Sequence, residues 1–149
     1  MKDSINTSKE VIFSSWIKGN KKTIKDYCSI DVLGIEVKLP KINTILRGSS
    51  NMVGFGAIDY IFLYRNRKYV CECKYPRQKN NASFWDSLKV IGYTEYYNWM
   101  NGGDKKYYPA ILFPEDTLSM EHKLICQLLK IKIFKIREEN GGYLIREEK

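Results

Sequence analysis

Two β-rich runs, 57–64 and 68–75, separated only by Arg65-Asn66-Arg67, constrain the fold more than any other feature of the sequence. The spacing predicts a β-hairpin. Ile58, Tyr60, Phe62 and Tyr64 fall on one face with Tyr69, Cys71, Cys73 and Tyr75 of the second run; Ala57, Ile61, Leu63 and Val70 fall on the other. A hairpin that is apolar on both faces has to be covered on both. The surrounding elements can do this. Ile12, Phe13, Trp16 and Ile17 recur at helical spacing over 7–18, with Thr7 placed as an N-cap. A strand is expected over 30–39, a Gly- and Ser-containing connection over 40–56, a helix over 83–100 and a buried strand over 108–113. A second helix follows over 117–129, and then a closing hairpin over 131–136 and 143–145. That order predicts an α/β fold, a mixed central β-sheet flanked by helices on both faces, with a C-terminal helix and hairpin.

With 149 residues the chain is expected to form a single domain, 1–149. Its 44% apolar and 13% aromatic content excludes a disordered, collagen-like or disulfide-scaffold chain. No run of 18 apolar residues and no apolar leader near the N-terminus is present, so no membrane partner is expected and the expected location is cytoplasmic. Cys28, Cys71, Cys73 and Cys126 form no C-x-x-C pair, and His122 is the only histidine; a zinc site lacks its ligands, and the cysteines read as reduced core residues. The formal net charge of +8 favours a polyanionic partner, usually nucleic acid, with lysine-rich solvated surface as the alternative.

Three charged residues interrupt the apolar hairpin: Asp59, Glu72 and Lys74. With a two-residue turn, opposed residues have index sums of about 131 or 133, so Asp59 faces either Glu72 or Lys74, and both registers put all three side chains on one side. A three-residue loop without a bulge would separate them. Two carboxylates side by side in an apolar sheet are costly as bare charges. A hard divalent cation removes that cost, and an adjacent ammonium can orient water or stabilise charge developing on a phosphate. The same residues also read as a salt bridge of Lys74 with Asp59 or Glu72, and geometry alone leaves both readings open.

Gly56-Ala57-Ile58-Asp59 followed by Val70-Cys71-Glu72-Cys73-Lys74 resembles the signature of the PD-(D/E)xK nuclease superfamily, with Ile58 where the motif name has proline. The resemblance covers roughly 7–113 and implies a restriction-endonuclease-like αβββαβ core, similar to that of Holliday-junction resolvases and small restriction or homing endonucleases. It implies that Asp59 and Glu72 hold Mg²⁺, with Mn²⁺ able to substitute, that the carbonyl of Cys73 completes the metal shell, and that Lys74 is the catalytic lysine. The activity implied is metal-dependent hydrolysis of DNA phosphodiesters. The alternative is a non-catalytic nucleic-acid-binding protein on a nuclease-derived fold.

Further residues carry two readings each. A second E-x-K, Glu36-Val37-Lys38, lacks the hairpin context, which leaves Glu36 a solvated or auxiliary residue of the first core strand. Glu10 either closes a capping box with Thr7 or joins the site as the acid that superfamily members often carry on the first helix. On the helix after the hairpin, Phe84, Leu88 and Ile91 are expected to form the core stripe. Trp85, Tyr93, Tyr96, Tyr97 and Trp99 are left to pack under loops, form a subunit contact or stack on bases. Lys89 and Tyr93 sit where exonuclease-like branches carry Gln and Tyr, with Lys in place of Gln. Lys89, and Arg77 and Lys79 just beyond the catalytic strand, are read as nucleic-acid contacts, with a solvated loop as the alternative for the last two. Lys130, Lys132 and Lys135 read as protection of an edge strand. A homodimer is expected on the ground that cutting two strands usually takes two sites.

Overall fold

The computed structural model describes residues 2–39, 56–74, 84–103 and 106–148, the side chains of 2–10, 84, 85 and 116 lying outside that description. Among the described residues six strands form one sheet in chain order: β1 (Ile30–Lys38), β2 (Ala57–Tyr64), β3 (Arg67–Cys73), β4 (Tyr107–Pro114), β5 (Lys132–Glu139) and β6 (Gly142–Glu147). β1 to β3 run antiparallel, β3 to β5 parallel, and β6 returns antiparallel. Parallel neighbours need a crossover. Here α3 (Phe84–Met100) joins β3 to β4, and α4 (Met120–Leu128), after the short turn Glu115–Thr117, joins β4 to β5.

The two faces of the sheet are covered separately, as the hairpin's two apolar faces require. Phe13 and Ile17 of α1 (Lys2–Gly19) and Ile24 of α2 (Lys21–Cys28) pack with Tyr60, Phe62, Tyr69, Phe134 and Ile136. On the other face Val90 of α3 and Cys126 of α4 pack with Ile58, Ile61, Val70, Ile111 and Ile133. The result is a mixed α/β sandwich. No helix among the described residues is long and apolar enough to cross a membrane.

Several expectations need correction. Helix α1 begins at Lys2, so Thr7 lies inside it and is not an N-cap. Helix α2 stands where no element is expected; of its eight residues only Ile24 is buried. The buried stripe of α3 is Ser87, Val90 and Thr94, whereas Leu88 is 37% exposed and Ile91 half-buried. Thr94 satisfies its hydroxyl on the carbonyl of Val90 at 2.7 Å. Strand β5 is not an edge, because β6 covers it, and Lys132 and Lys135 pair with Glu147 and Glu148. Ile58 does not share the face of Tyr60. The expected connection over 40–55 lies outside the described residues.

Candidate functional site

The turn of the β2–β3 hairpin sets the site. Arg65 and Asn66 are both left-handed, with φ of 50° and 64°, the two-residue turn that closes Tyr64 against Arg67. Pairing then runs to Tyr60 opposite Cys71, which brings Asp59 level with Glu72, the first of the two expected registers. On its other side β2 pairs Tyr60 with Ile35 and Ile58 with Val37, bringing Asp59 level with Glu36. Three carboxylate residues therefore stand in one row across β1, β2 and β3.

Regular pairing between β2 and β3 stops at this row. The next rung would match the Cys73 N–H with the carbonyl of Ile58. Instead it donates to Asp59 Oδ2 at 2.8 Å. Face alternation breaks at the same place, Tyr60 packing with one core layer and Ile58 with the other. On the opposite edge of β3 the Lys74 N–H donates to Leu112 O at 2.8 Å, which fixes the lysine backbone to β4.

The side chains meet in a pocket of about 570 Å³ at the ends of the strands. Phe13, Ser14 and Lys18 of α1 line one side, Lys89 of α3 the other, with Glu36, Asp59, Glu72 and Lys74 between them. Glu72 and Lys74 are 6% and 5% exposed. Lys74 Nζ lies 3.2 Å from Glu72 Oε2 and 2.6 Å from Asp86 Oδ1, and Lys89 Nζ lies 3.3 Å from the same Glu72 oxygen. Two ammonium groups thus face three carboxylates, an excess of one negative charge if all are ionised.

Asp59 bears that excess. Burial, and then the Glu72 carboxylate, push its carboxyl up to about 6 from the ordinary 3.8, against the opposing pull of the Cys73 N–H, Lys89 and Lys74. Burial works to lower the Lys89 ammonium, but Glu72, Tyr93 and Asp59 together hold it above its ordinary value. Burial raises the Tyr60 phenol well above the ordinary range. Perturbed groups gathered in one cleft are a mark of functional sites, and also of structural ion-pair networks.

Asp59, Glu72 and Lys74 are brought together as the sequence implied, and Lys89 joins them as a partner of Glu72, with its side chain 47% exposed. Asp86 was not anticipated. In the sequence it reads only as an acid in the first turn of a helix, where the helix dipole favours one. Glu10 is four residues before Ser14 on the helix that lines the pocket, but its side chain is outside the described residues, as are Arg77 and Lys79. Among the described residues no three His, Cys, Asp or Glu side chains group as a metal-binding set. What the pocket brings together is the Asp59 and Glu72 carboxylates beside the Lys74 and Lys89 ammonium groups.

No family model, no curated protein and no solved structure matches this chain.

Proposed function

We propose that the chain is a Mg²⁺-dependent deoxyribonuclease of the PD-(D/E)xK type on a restriction-endonuclease-like fold. The observation that carries this reading is the convergence of Asp59, Glu72 and Lys74 in one pocket at the end of the hairpin. The site also lies at the carboxyl end of β3 beside parallel β4, where open α/β sheets place ligands. Asp59, Glu72 and the carbonyl of Cys73 would hold Mg²⁺ or Mn²⁺, and the ion would supply a polarised phosphoryl oxygen and a more acidic water.

The chain's own residues do the rest. Water attacks phosphorus as the bond to the leaving oxygen breaks, and negative charge accumulates on the phosphoryl oxygens. The Lys74 ammonium, held by Glu72 and Asp86, stabilises that charge and orients the attacking water. Lys89, more exposed, is placed to meet a DNA phosphate beside the pocket.

The test is a panel of plasmid, linear duplex, single strand and four-way junction, with and without Mg²⁺ or Mn²⁺. Cleavage that requires metal and is abolished by Asp59→Ala and by Lys74→Ala, with the fold retained, is the expected result. No cleavage of any of the four would overturn the proposal.

A second reading is favoured by the burial of the Lys74 ammonium between two carboxylates. There the network is structural, and the protein binds nucleic acid without cutting it. Salt-sensitive DNA binding indifferent to metal and to Asp59→Asn distinguishes this case.

A further inference from the structure

At the other end of the sheet, where β3, β4 and β5 begin, a second pocket of about 290 Å³ is lined by Arg67, Tyr108, Lys123, Lys130 and Lys132. Arg67 is five residues from Glu72 along β3, about 17 Å at roughly 3.3 Å per residue, so the two pockets are separate.

The charges here are only partly compensated. Glu148, the one acid among the described residues along the wall, is taken by Lys123 and Lys135, and Lys132 is taken by Glu147. Arg67 and Lys130 meet no carboxylate in the ion pairs found among the described residues. Arg67 is held differently: its guanidinium lies 4.9 Å from the centre of the Tyr108 ring, and Lys106 lies 5.9 Å from the same ring. An aromatic face fixes a cation without neutralising it, and leaves the guanidinium's donors open to an anion. Lys130 is at φ 58° just past the end of α4, a left-handed position that glycine usually fills. The chain keeps a long cationic side chain there.

We propose that this rim pocket binds a phosphate group of a nucleotide, with Arg67 and Lys130 as its principal ligands. It does not rest on the cleavage reading. A mononucleotide and a nucleic-acid strand present the same group, and the two sources are separable by experiment.

The full chain is titrated in EDTA at low salt with inorganic phosphate, a nucleoside monophosphate and a twelve-nucleotide single strand. Binding is followed by amide chemical shifts and, for the strand, by fluorescence anisotropy. Saturable shifts at Arg67, Tyr108 and Lys130 are expected with each probe. Arg67→Ala/Lys130→Ala should weaken binding about tenfold or more. Lys21→Ala/Lys22→Ala, which removes the same charge from exposed positions on α2, should change it by about twofold at most. A strand that binds far more tightly than the monophosphate supports the pocket with nucleic acid as the source; equal affinities support it with a free nucleotide.

If the double variant fails to fold, Arg67→Lys and Lys130→Gln take its place. Arg67→Lys should weaken binding despite its unchanged charge. No saturable shift at these amides, or equal losses in the rim and control variants, overturns the proposal. Because no metal is present, that failure would leave the cleavage reading intact.

Discussion

Asp86 on α3 holds the ammonium of Lys74, twelve residues earlier in the chain, at 2.6 Å. Lys74 is 5% exposed and Asp86 is partly buried, so this pair locks the first turn of α3 onto the end of β3. We expect Asp86→Ala to destabilise the fold by about 1–3 kcal/mol, less than the full loss of a buried pair because Glu72 still meets Lys74. The double variant Lys74→Met/Asp86→Ala should lose less than the two single losses combined. Urea unfolding of the four proteins in a double-mutant cycle measures the coupling. Additive losses would mean that the contact carries no stability.

Asp59 gives the site a dependence on pH whose sign is fixed. Its carboxyl titrates near 6 when folded, above the ordinary 3.8. The folded state therefore binds the proton more tightly, and the associated stability is fully present below about pH 4 and lost as pH rises through 6. Asp59→Asn removes this dependence while keeping an oxygen for the Cys73 N–H. At roughly 1.4 kcal/mol per pH unit, the variant should gain up to about 3 kcal/mol over the parent at pH 7, and little at pH 4. Denaturant unfolding across pH 4 to 8 checks it. A parent and variant with parallel profiles would contradict the assignment. The same substitution should abolish cleavage, so stability and activity move in opposite directions.

The sheet was legible because its signals are local. Ile58, Phe62, Val70 and Cys71 announce a hairpin, and Asn66 announces its turn, so the face shared by Asp59 and Glu72 followed from a two-residue loop. What escaped was set by tertiary contact. The α2 helix rests on one buried residue, Ile24, which packs with Phe13 and Ile17 of α1 on the same face of the sheet. The Asp86 contact depends on how a crossover returns to the strand it left, which no spacing rule encodes. The break in alternation at Ile58 falls where a side chain, not a carbonyl, takes the Cys73 N–H.

Lys89 competes for the oxygen that a cation would use. Its ammonium lies 3.3 Å from Glu72 Oε2, already shared with Lys74. Lys89→Met removes one local positive charge and keeps much of the aliphatic stem. On the proposed function, we expect Mn²⁺ to bind the variant several-fold more tightly while the affinity for DNA falls. Calorimetric titration with Mn²⁺ and anisotropy with DNA read the two effects separately. Weaker binding of both ligands would show that Lys89 supports the site rather than occupying it.

Glu36 combines two features that separate under substitution. Its φ of 50° is left-handed, unusual for a glutamate within a strand, and it stands level with Asp59 on the neighbouring strand. The exposed ion pair with Lys18, at 3.6 Å, is worth about 1 kcal/mol at most. A left-handed backbone costs a non-glycine residue roughly 1–2 kcal/mol, which glycine avoids in the folded state at the expense of greater freedom when unfolded. Glu36→Gly should therefore be neutral or modestly stabilising, whereas Glu36→Gln, which keeps the strain and loses the ion pair, should be neutral or slightly worse. If the carboxylate serves the pocket it lines, both variants lose cleavage to a similar extent despite their different stabilities. Thermal unfolding and cleavage rates measured on the same preparations decide it. A glycine variant that is less stable than the glutamine variant would show that the strained backbone is held by contacts of the side chain, and that the turn of the strand at Glu36 is not an independent source of strain.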